Sequence, residues 1–220
     1  MATKRVFLIH ATPVAVAPIN EAFARLWPEA ELCNLLEDSL SRDLRSAGSV
    51  TDALKQRFMA LARYAREAGA DGILFTCSAF GEAINACKAS LDIPVLKPNE
   101  AMLEDALQYG DRVALLATFA PAIDSISEEL HEAAAARGKK LTLQHAVSPR
   151  AIEALHQGDA ARHDQLISEM VPPLADVDVI CFAQFSMTSA ASACAALTET
   201  PVLTTPDSAV LKLKRLCNPK

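Results

Sequence analysis

Short apolar runs alternate with amphipathic stretches along the chain. The apolar runs have the length of strands buried on both faces of a parallel sheet, and they occupy residues 5–9, 73–76, 112–118 and 177–183. Between them, apolar residues recur at helical spacing, as in residues 50–69, where Leu54, Phe58 and Leu61 share one face. This alternation predicts an α/β fold in which parallel sheets are covered by helices.

The remaining elements follow from the same pattern and from the turn residues between them. Further strands are predicted at residues 31–36, 93–96, 141–146 and 201–203. Further helices are predicted at residues 17–26, 79–90, 99–109, 122–137, 159–175, 189–197 and 208–216. Residues 40–49 are polar and irregular, and we interpret them as a loop over the functional site. His131, His156 and His163 fall on predicted helices, and we assign them to the surface.

The second half of the chain repeats the first at a constant separation, here called the repeat offset and defined by the step from Arg5 to Arg112. Three anchors share it, namely Arg5-Val6 with Arg112-Val113, Asp71 with Asp178, and Pro94-Val95-Leu96 with Pro201-Val202-Leu203. Any two α/β units share a strand–helix rhythm, but a common offset without a net gap indicates duplication. We therefore predict two pseudo-symmetric lobes, residues 1–98 and 99–220, with the terminal helix at 208–220 packing on the first lobe.

The repeat also predicts where the site lies. Ligands of parallel α/β sheets bind at the carboxyl ends of the strands, so we expect a site in the crevice between the lobes. The first and third strands of each half end in residues that can bind a substrate. These are His10, Thr12 and Cys77 in the first half, and Thr118, Phe119, Gln184 and Ser186 in the second.

Composition excludes several classes of partner. The chain has 220 residues, about half of them apolar, and a formal net charge of -6 without a block of Lys or Arg. Nucleic acid and membrane are therefore not expected partners. The apolar runs are far shorter than the roughly 20 residues that cross a bilayer, and no charged leader precedes the first strand. Six cysteines without CxxC or zinc spacing indicate reduced thiols, so we expect a cytoplasmic protein.

One of these thiols, Cys77, has a special position. It follows the buried strand at residues 73–76 and precedes a predicted helix. A thiol beside a helix N-terminus at the mouth of a sheet can be ionised and can meet a ligand. The structural alternative is a small buried hydrophobic residue, which is the commoner role of a cysteine. We predict that Cys77 is the catalytic residue.

Neutral hydroxyl groups near the strand ends are candidates for substrate binding. Ser78 and Thr118, with the backbone N–H groups beside them, are natural donors to a carboxylate or enediolate oxygen. Thr12 and Ser186 are further candidates of the same kind. Ser78 also has an ordinary interpretation as a helix cap, and Thr118 and Thr12 have one as turn residues.

Three other side chains complete the candidate set. Gln184 is separated from Cys77 by the repeat offset and can hold an oxygen atom through its amide N–H₂ group. His10 is either a substrate-binding residue or a satisfied buried histidine. Phe119 is either a wall for an apolar substrate group or a core residue, and the same holds for Phe80 and Phe185, which lie near the predicted crevice.

The pattern resembles the aspartate/glutamate racemase superfamily, which also holds hydantoin racemases, maleate isomerases and arylmalonate decarboxylases. The resemblance covers the whole chain as duplicated lobes, and it rests on the motifs Thr76-Cys77-Ser78 and His10-Ala11-Thr12. Racemases of the family carry a second cysteine after the third strand of the second half. Here that position holds Gln184, while Cys181 and Cys194 are expected in the core.

A single thiol limits the chemistry that the resemblance implies. Two-base racemisation needs one thiolate to take the α-proton and a thiol opposite to return it. One thiol can still deliver a proton to one face of a carbanion, as family decarboxylases are understood to do. It can also attack as a nucleophile, as family maleate isomerases are understood to do. In the decarboxylases the retained cysteine is that of the second half, so this chain would be a mirror arrangement.

The sequence therefore predicts a cofactor-independent isomerase or decarboxylating lyase that uses Cys77 on a small carboxylate or amino-acid-like substrate. Neutral donors facing the oxyanion imply neither a metal nor an organic cofactor. One alternative is an amino-acid or hydantoin racemase with an unconventional second base, and another is a catalytically inactive protein that binds a small carboxylate. A dehydrogenase is disfavoured because no glycine-rich phosphate-binding motif follows any strand. The apolar terminal helix is a candidate for a homo-oligomer interface.

Overall fold

The computed structural model describes residues 3–219, which form two compact units. The first unit, here called the N-terminal lobe, ends at Pro98 and takes in the residues from Ala209 onward. The second unit, the C-terminal lobe, is Asn99–Ser208. Among the helices of residues 3–219, none combines the length and the apolar character needed to cross a membrane.

The N-terminal lobe is built on four parallel strands covered by helices. The strands are β1 (Arg5–His10), β2 (Glu31–Leu36), β3 (Gly72–Phe75) and β4 (Val95–Leu96), in the spatial order β2-β1-β3-β4. The helices are α1 (Val16–Leu26), α2 (Ser39–Ala47), α3 (Asp52–Glu67) and α4 (Gly81–Ser90). All of β3 and most of β1 are buried, as expected of central strands that are covered on both faces.

The C-terminal lobe repeats this arrangement. Its strands are β5 (Arg112–Ala117), β6 (Thr142–Val147), β7 (Val179–Phe182) and β8 (Val202–Thr204), in the order β6-β5-β7-β8. Its helices are α5 (Glu100–Tyr109), α6 (Ala120–Ala135), α7 (Pro149–His156), α8 (Ala160–Ser168) and α9 (Ala191–Ala195). Helix α10 (Thr205–Cys217) starts in this lobe and continues into the N-terminal one.

Strand register confirms the duplication. Val6 pairs with Gly72 in the first sheet, and Val113 pairs with Val179 in the second, so both partners are displaced by the repeat offset. The edge strands β4 and β8 keep this offset as well, whereas β2 and β6 depart from it. The offset would place the counterpart of Glu31 at Gly138, whereas β6 begins its pairing with β5 at Thr142. Four residues have therefore been inserted before β6 relative to the first half.

The repeated aspartates have the same structural task in both lobes. The carboxylate of Asp71 accepts a hydrogen bond from the backbone N–H of Arg5 at 2.9 Å. The carboxylate of Asp178 accepts one from the backbone N–H of Arg112 at 3.0 Å. Each aspartate therefore ties the start of the third strand of its lobe to the start of the first.

Two predicted segments differ in the structure. The sequence pattern predicts a loop at residues 40–49, but most of them form α2, because Leu40 and Leu44 lie one turn apart and pack onto the core. The predicted helix at 159–175 is shorter, since α8 ends at Ser168. Pro172 cannot donate to a helical partner and disfavours helical backbone in the residue before it. The separate helix α7 was not predicted.

The surface assignment of His163 is wrong. Its side chain is fully buried, and Nδ1 lies 2.8 Å from an oxygen of Asp164. The same oxygen accepts a hydrogen bond from the hydroxyl of Ser189 at 2.7 Å. A carboxylate that also holds the segment after β7 therefore stabilises the buried ring.

Helix α10 packs against the start of β3 in the N-terminal lobe. A Cβ atom on Gly72 would lie 2.9 Å from Sγ of Cys217 and 3.1 Å from a methyl carbon of Leu213. The Cys217 thiol contacts the carbonyl oxygen of Asp71 at 3.4 Å, and the ammonium of Lys214 donates to the carbonyl oxygen of Leu26 at 3.0 Å. Glycine at 72 is therefore required by the close approach of the helix.

Candidate active site

Cys77 lies two residues beyond the end of β3, after Thr76, with extended backbone at φ −122° and ψ 116°. A 3-10 turn, Ser78–Phe80, separates it from α4, which begins at Gly81. The thiol is half-buried and accepts a hydrogen bond from the backbone N–H of Ala79. Burial raises the pKa of the Cys77 thiol above its ordinary value of 9.0, and the Ala79 hydrogen bond lowers it by less. The expected readily ionised thiol is thus not found, and Cys77 is a neutral thiol at neutral pH.

The other five cysteines lie within the described residues and differ from Cys77 in position. Four of them are buried, namely Cys87, Cys181, Cys194 and Cys217. Burial raises the pKa of Cys87, and likewise that of Cys194, to about 11. Cys33 is half-buried in the middle of β2. Cys77 is therefore the one partly exposed thiol at the carboxyl end of a strand.

His10 is at the end of β1 and is fully buried. Its Nδ1 lies 2.9 Å from the hydroxyl oxygen of Thr76, and its Nε2 lies 2.9 Å from the side-chain oxygen of Asn34. Burial lowers the pKa of His10 by more than the Asn34 hydrogen bond raises it. Of the two readings from sequence, the geometry is that of a satisfied buried histidine.

Two hydroxyl groups of the N-terminal lobe are available to a ligand. Thr12 precedes the 3-10 turn Pro13–Ala15 and is half-buried, and Ser78 is exposed directly after Cys77. The Thr12 side chain does not cap the turn that follows it, and neither hydroxyl has a hydrogen-bond partner in the part of the chain that the structure describes. They follow adjacent strands at the carboxyl edge of one sheet, so these hydroxyls can act on one bound group.

Helix α2 is fixed beside this edge of the sheet. The hydroxyl of Ser41 donates to the carbonyl oxygen of Ala11 at 2.8 Å. The guanidinium of Arg57 on α3 pairs with Glu37, which directly follows β2, and with Asp43 on α2. These contacts hold α2 in place next to Thr12, where the sequence had indicated an irregular loop.

In the C-terminal lobe, Thr118 and Gln184 are brought together. The side-chain oxygen of Gln184 accepts hydrogen bonds from the Thr118 backbone N–H at 2.7 Å and from its hydroxyl at 3.0 Å. Because an N–H can only donate, the amide oxygen must face Thr118 and the N–H₂ end must point away. Thr118 therefore orients Gln184, and the N–H₂ end of Gln184 is left as a donor.

The remaining candidates of this lobe are near these two residues in sequence. Phe119 is the residue that precedes α6, and its side chain is 58% exposed. Ser186 is half-buried in the 3-10 segment Phe185–Ala190 and has no hydrogen-bond partner among residues 3–219. Phe80, in contrast, is fully buried in the N-terminal lobe against Phe58, with ring centroids 4.4 Å apart, and belongs to its core.

Asn34 and Thr76 were not chosen from the sequence as site residues. Asn34 is the one polar residue between the apolar positions 32–36 of the predicted strand, and Thr76 enters the sequence prediction only as a neighbour of the thiol. A polar residue at that point of a strand is the signal that could have found Asn34. No group of three or more His, Cys, Asp or Glu side chains that could hold a metal ion occurs within residues 3–219.

Comparison with known proteins identifies the relationship. The family model of Asp/Glu/hydantoin racemases matches residues 16–137, which is more than half of the chain. The chain belongs to this family. Comparison of the racemase-family chain with curated protein sequences finds no significant match.

Solved structures share the fold along almost the whole chain. An allantoin racemase from Klebsiella pneumoniae is 17% identical, with a TM-score of 0.72 over 97% of this chain and 87% of its own. An aspartate racemase homologue from Pyrococcus horikoshii is 15% identical, with a TM-score of 0.73 over 98% and 99%. An unliganded arylmalonate decarboxylase is 17% identical, with a TM-score of 0.66 over 99% and 94%. At these identities, the similarity establishes the fold alone.

Proposed function

We propose that this member of the racemase family is an enzyme that transfers a proton to the carbon beside a carboxylate, with Cys77 as the acid. The observation that supports this most strongly is the neutral, half-buried Cys77 thiol at the carboxyl end of β3. The C-terminal lobe has an amide, Gln184, at the corresponding place. One acid therefore acts from one direction, as in an isomerase or a decarboxylating lyase.

The raised pKa of Cys77 favours proton donation over nucleophilic attack. A nucleophile must be a thiolate, whereas a proton donor must be a thiol, and burial holds Cys77 in the thiol form. In the lyase form of the reaction, the bond from the α-carbon to one carboxyl group breaks and carbon dioxide leaves. The electron pair remains as an enediolate, whose α-carbon takes the proton of Cys77. The thiolate then regains a proton from water.

Neutral donors supply the binding of a small carboxylate substrate in this proposal. The hydroxyls of Thr12 and Ser78 have no other partner among the described residues, and Gln184 has a free N–H₂ end. Hydrogen bonds to an ionised oxygen are the stronger kind, worth about 1.5–3 kcal/mol each. We assign the stabilisation of the oxyanion to such donors, without a metal or an organic cofactor.

All six thiols are free, which supports a cytoplasmic location.

The test of this function is turnover by matched cysteine variants. We would assay wild type, Cys77→Ala, Cys77→Ser and Cys33→Ser against aspartate, glutamate, allantoin, a substituted hydantoin and phenylmalonate. Loss of a general acid should lower kcat by about 10²–10⁴-fold in both Cys77 variants. The Cys33→Ser variant should match wild type. Wild-type turnover that persists unchanged in Cys77→Ala would overturn the proposal.

A second candidate is a protein that binds a small carboxylate without turning it over. The raised pKa of Cys77 and the amide at 184 favour it, because neither an un-ionised thiol nor an amide is a strong nucleophile or base. It predicts that the same compounds raise the Tm of wild type and of Cys77→Ala equally, while none is consumed. Consumption of any one of them by wild type would exclude this candidate.

A further inference from the structure

His10, the last residue of β1, is hydrogen-bonded to Thr76, the residue that precedes Cys77. Its Nε2 faces the side-chain oxygen of Asn34, whose amide nitrogen donates to Asn20 at 3.3 Å. Because the Asn34 oxygen can only accept, Nε2 carries the ring proton. In the neutral ring that burial favours, Nδ1 has no proton and accepts from the hydroxyl of Thr76 at 2.9 Å.

Thr76 is thereby attached to β1 through both its backbone and its side chain. Its backbone N–H donates to the carbonyl oxygen of Ile9 at 3.1 Å, and its hydroxyl is held by His10. The same carbonyl lies 3.4 Å from the Thr76 hydroxyl oxygen and is the longer alternative acceptor. These two hydrogen bonds fix the backbone of Thr76, and therefore the direction in which the chain continues to Cys77.

The C-terminal lobe lacks this arrangement. The repeat offset relates His10 to Ala117 and Thr76 to Ala183, and the side chain of alanine makes no hydrogen bonds. Gln184 is instead held directly by Thr118. A contact between a buried histidine and a threonine at the ends of the first and third strands is therefore found in the lobe that carries the thiol.

We propose that His10 is a positioning residue that orients Cys77 through Thr76 and does not touch the substrate. This inference rests on the proposed role of Cys77, and it replaces the expectation that His10 binds substrate. A ring with no exposed surface and with both nitrogens bonded inside the lobe has no atom to offer a ligand. Through its hydrogen bond to Thr76, His10 instead fixes the direction of the backbone at the end of β3.

The first test needs no substrate. In a Cys33→Ser background, the rate of Cys77 alkylation by iodoacetamide would be followed by mass spectrometry of the labelled peptide. Thr76→Val removes the hydroxyl and His10→Phe removes both ring contacts, so each should release the strand end and raise the rate severalfold. Thr76→Ser keeps the hydroxyl and should label at the parent rate. Unchanged labelling in Thr76→Val and His10→Phe would overturn the proposal.

General loosening of the fold is separated from local release by the buried thiols. Cys87 and Cys181 have no exposed surface and report global opening in the same digest. They should stay unlabelled in every variant while Cys77 reacts. If Cys87 and Cys77 were both labelled in Thr76→Val, the Thr76 hydroxyl would be shown to stabilise the whole lobe and not the strand end alone. That result would also overturn the proposal.

The second test uses turnover. A displacement of the reacting group by up to about an ångström lowers the rate of the chemical step but leaves substrate binding intact. Thr76→Val should therefore lower kcat by about ten- to a hundredfold with little change in KM. Thr76→Ser should restore kcat. Wild-type kcat in Thr76→Val would contradict the positioning role. If wild type turns over none of the five compounds, the proposed function fails, and the labelling result alone decides the role of His10.

Discussion

The side-chain oxygen of Gln184 accepts two hydrogen bonds from Thr118, one from the backbone N–H at 2.7 Å and one from the hydroxyl at 3.0 Å. This pair occupies the place where the N-terminal lobe has Ala11 and Cys77, which the repeat offset relates to Thr118 and Gln184. The amide can neither take nor give a proton at neutral pH. The central strands of the two lobes have the same register, but the lobes differ in chemistry at the end of their third strands.

Replacing Gln184 by glutamate tests its donor role. The carboxylate of Gln184→Glu can still accept both Thr118 hydrogen bonds, but the donating N–H₂ becomes a second oxygen. Loss of one hydrogen bond to an ionised group corresponds to a rise in KM of about ten- to a hundredfold. The control is Gln157→Glu, which makes the same change at an exposed position directly after α7 and should leave KM unchanged. Equal KM values for Gln184→Glu and wild type would contradict a binding role for this amide.

The protonation state of Cys77 can be measured directly. Since burial raises the pKa of its thiol above 9.0, the rate of iodoacetamide alkylation in Cys33→Ser should be low at pH 7 and should still rise above pH 9. Mass spectrometry of the Cys77 peptide between pH 6 and 10 gives the profile. A rate that reaches its plateau below pH 8 would identify a thiolate and favour the nucleophilic reading instead.

Acid stability should depend on Asp178. The guanidinium of Arg112 pairs with this carboxylate at 2.6 Å and lowers the pKa of Asp178 from 3.8 to about 2. A lowered pKa in the folded state stabilises the protein above the unfolded value, and this contribution is lost as the pH falls from about 4 toward about 2. Asp178→Asn should therefore lower Tm at neutral pH, with a difference from wild type that shrinks across this range.

Circular dichroism melting curves at several pH values check this prediction. Asp124→Asn, which changes an exposed carboxylate on α6, is the matched control and should follow wild type throughout. A Tm difference for Asp178→Asn that stays constant from pH 5 to pH 2 would show that the ion pair with Arg112 has no part in it.

The contact between β3 and α10 predicts a coupled pair of substitutions. Gly72→Ala places a methyl group 2.9 Å from Sγ of Cys217, and overpacking of this kind costs about 1–3 kcal/mol. Cys217→Ala removes that sulfur atom, so the double variant should lose less stability than the sum of the single ones. Urea unfolding of the four proteins measures the coupling. Strict additivity would mean that the helix shifts without strain.

The uninterrupted apolar runs made the central strands predictable. Residues 73–76 and 177–183 have no polar residue before their ends other than Asp178, so their burial and their parallel pairing follow from pattern alone. The repeat offset likewise anticipated the matching register of the central strands in both sheets. Because ligands bind at the carboxyl ends of parallel strands, the residues that follow a central strand are the ones that can contact a ligand. The sequence predicts Cys77 as a site residue for this reason.

What could not be predicted depends on partners distant in sequence. The burial of His10 requires Asn34 on a neighbouring strand and Thr76 on another, and no local pattern pairs them. Helix α2 forms because Leu40 packs into a core that other elements supply. The raised pKa of Cys77 follows from its burial among elements that are distant in sequence. Local propensity contains none of this information.

The most direct test of the central claim is the fate of solvent deuterium. Wild type, Cys77→Ala and Cys33→Ser would be incubated in D₂O with phenylmalonate and with each enantiomer of aspartate and glutamate, and the α-carbon followed by NMR. A single thiol acting as acid predicts one deuteron on one face of the product carbon, no exchange of both enantiomers of any amino acid, and loss of all incorporation in Cys77→Ala alone. Exchange of both enantiomers, or incorporation in Cys77→Ala at the wild-type rate, would contradict a single cysteine acid.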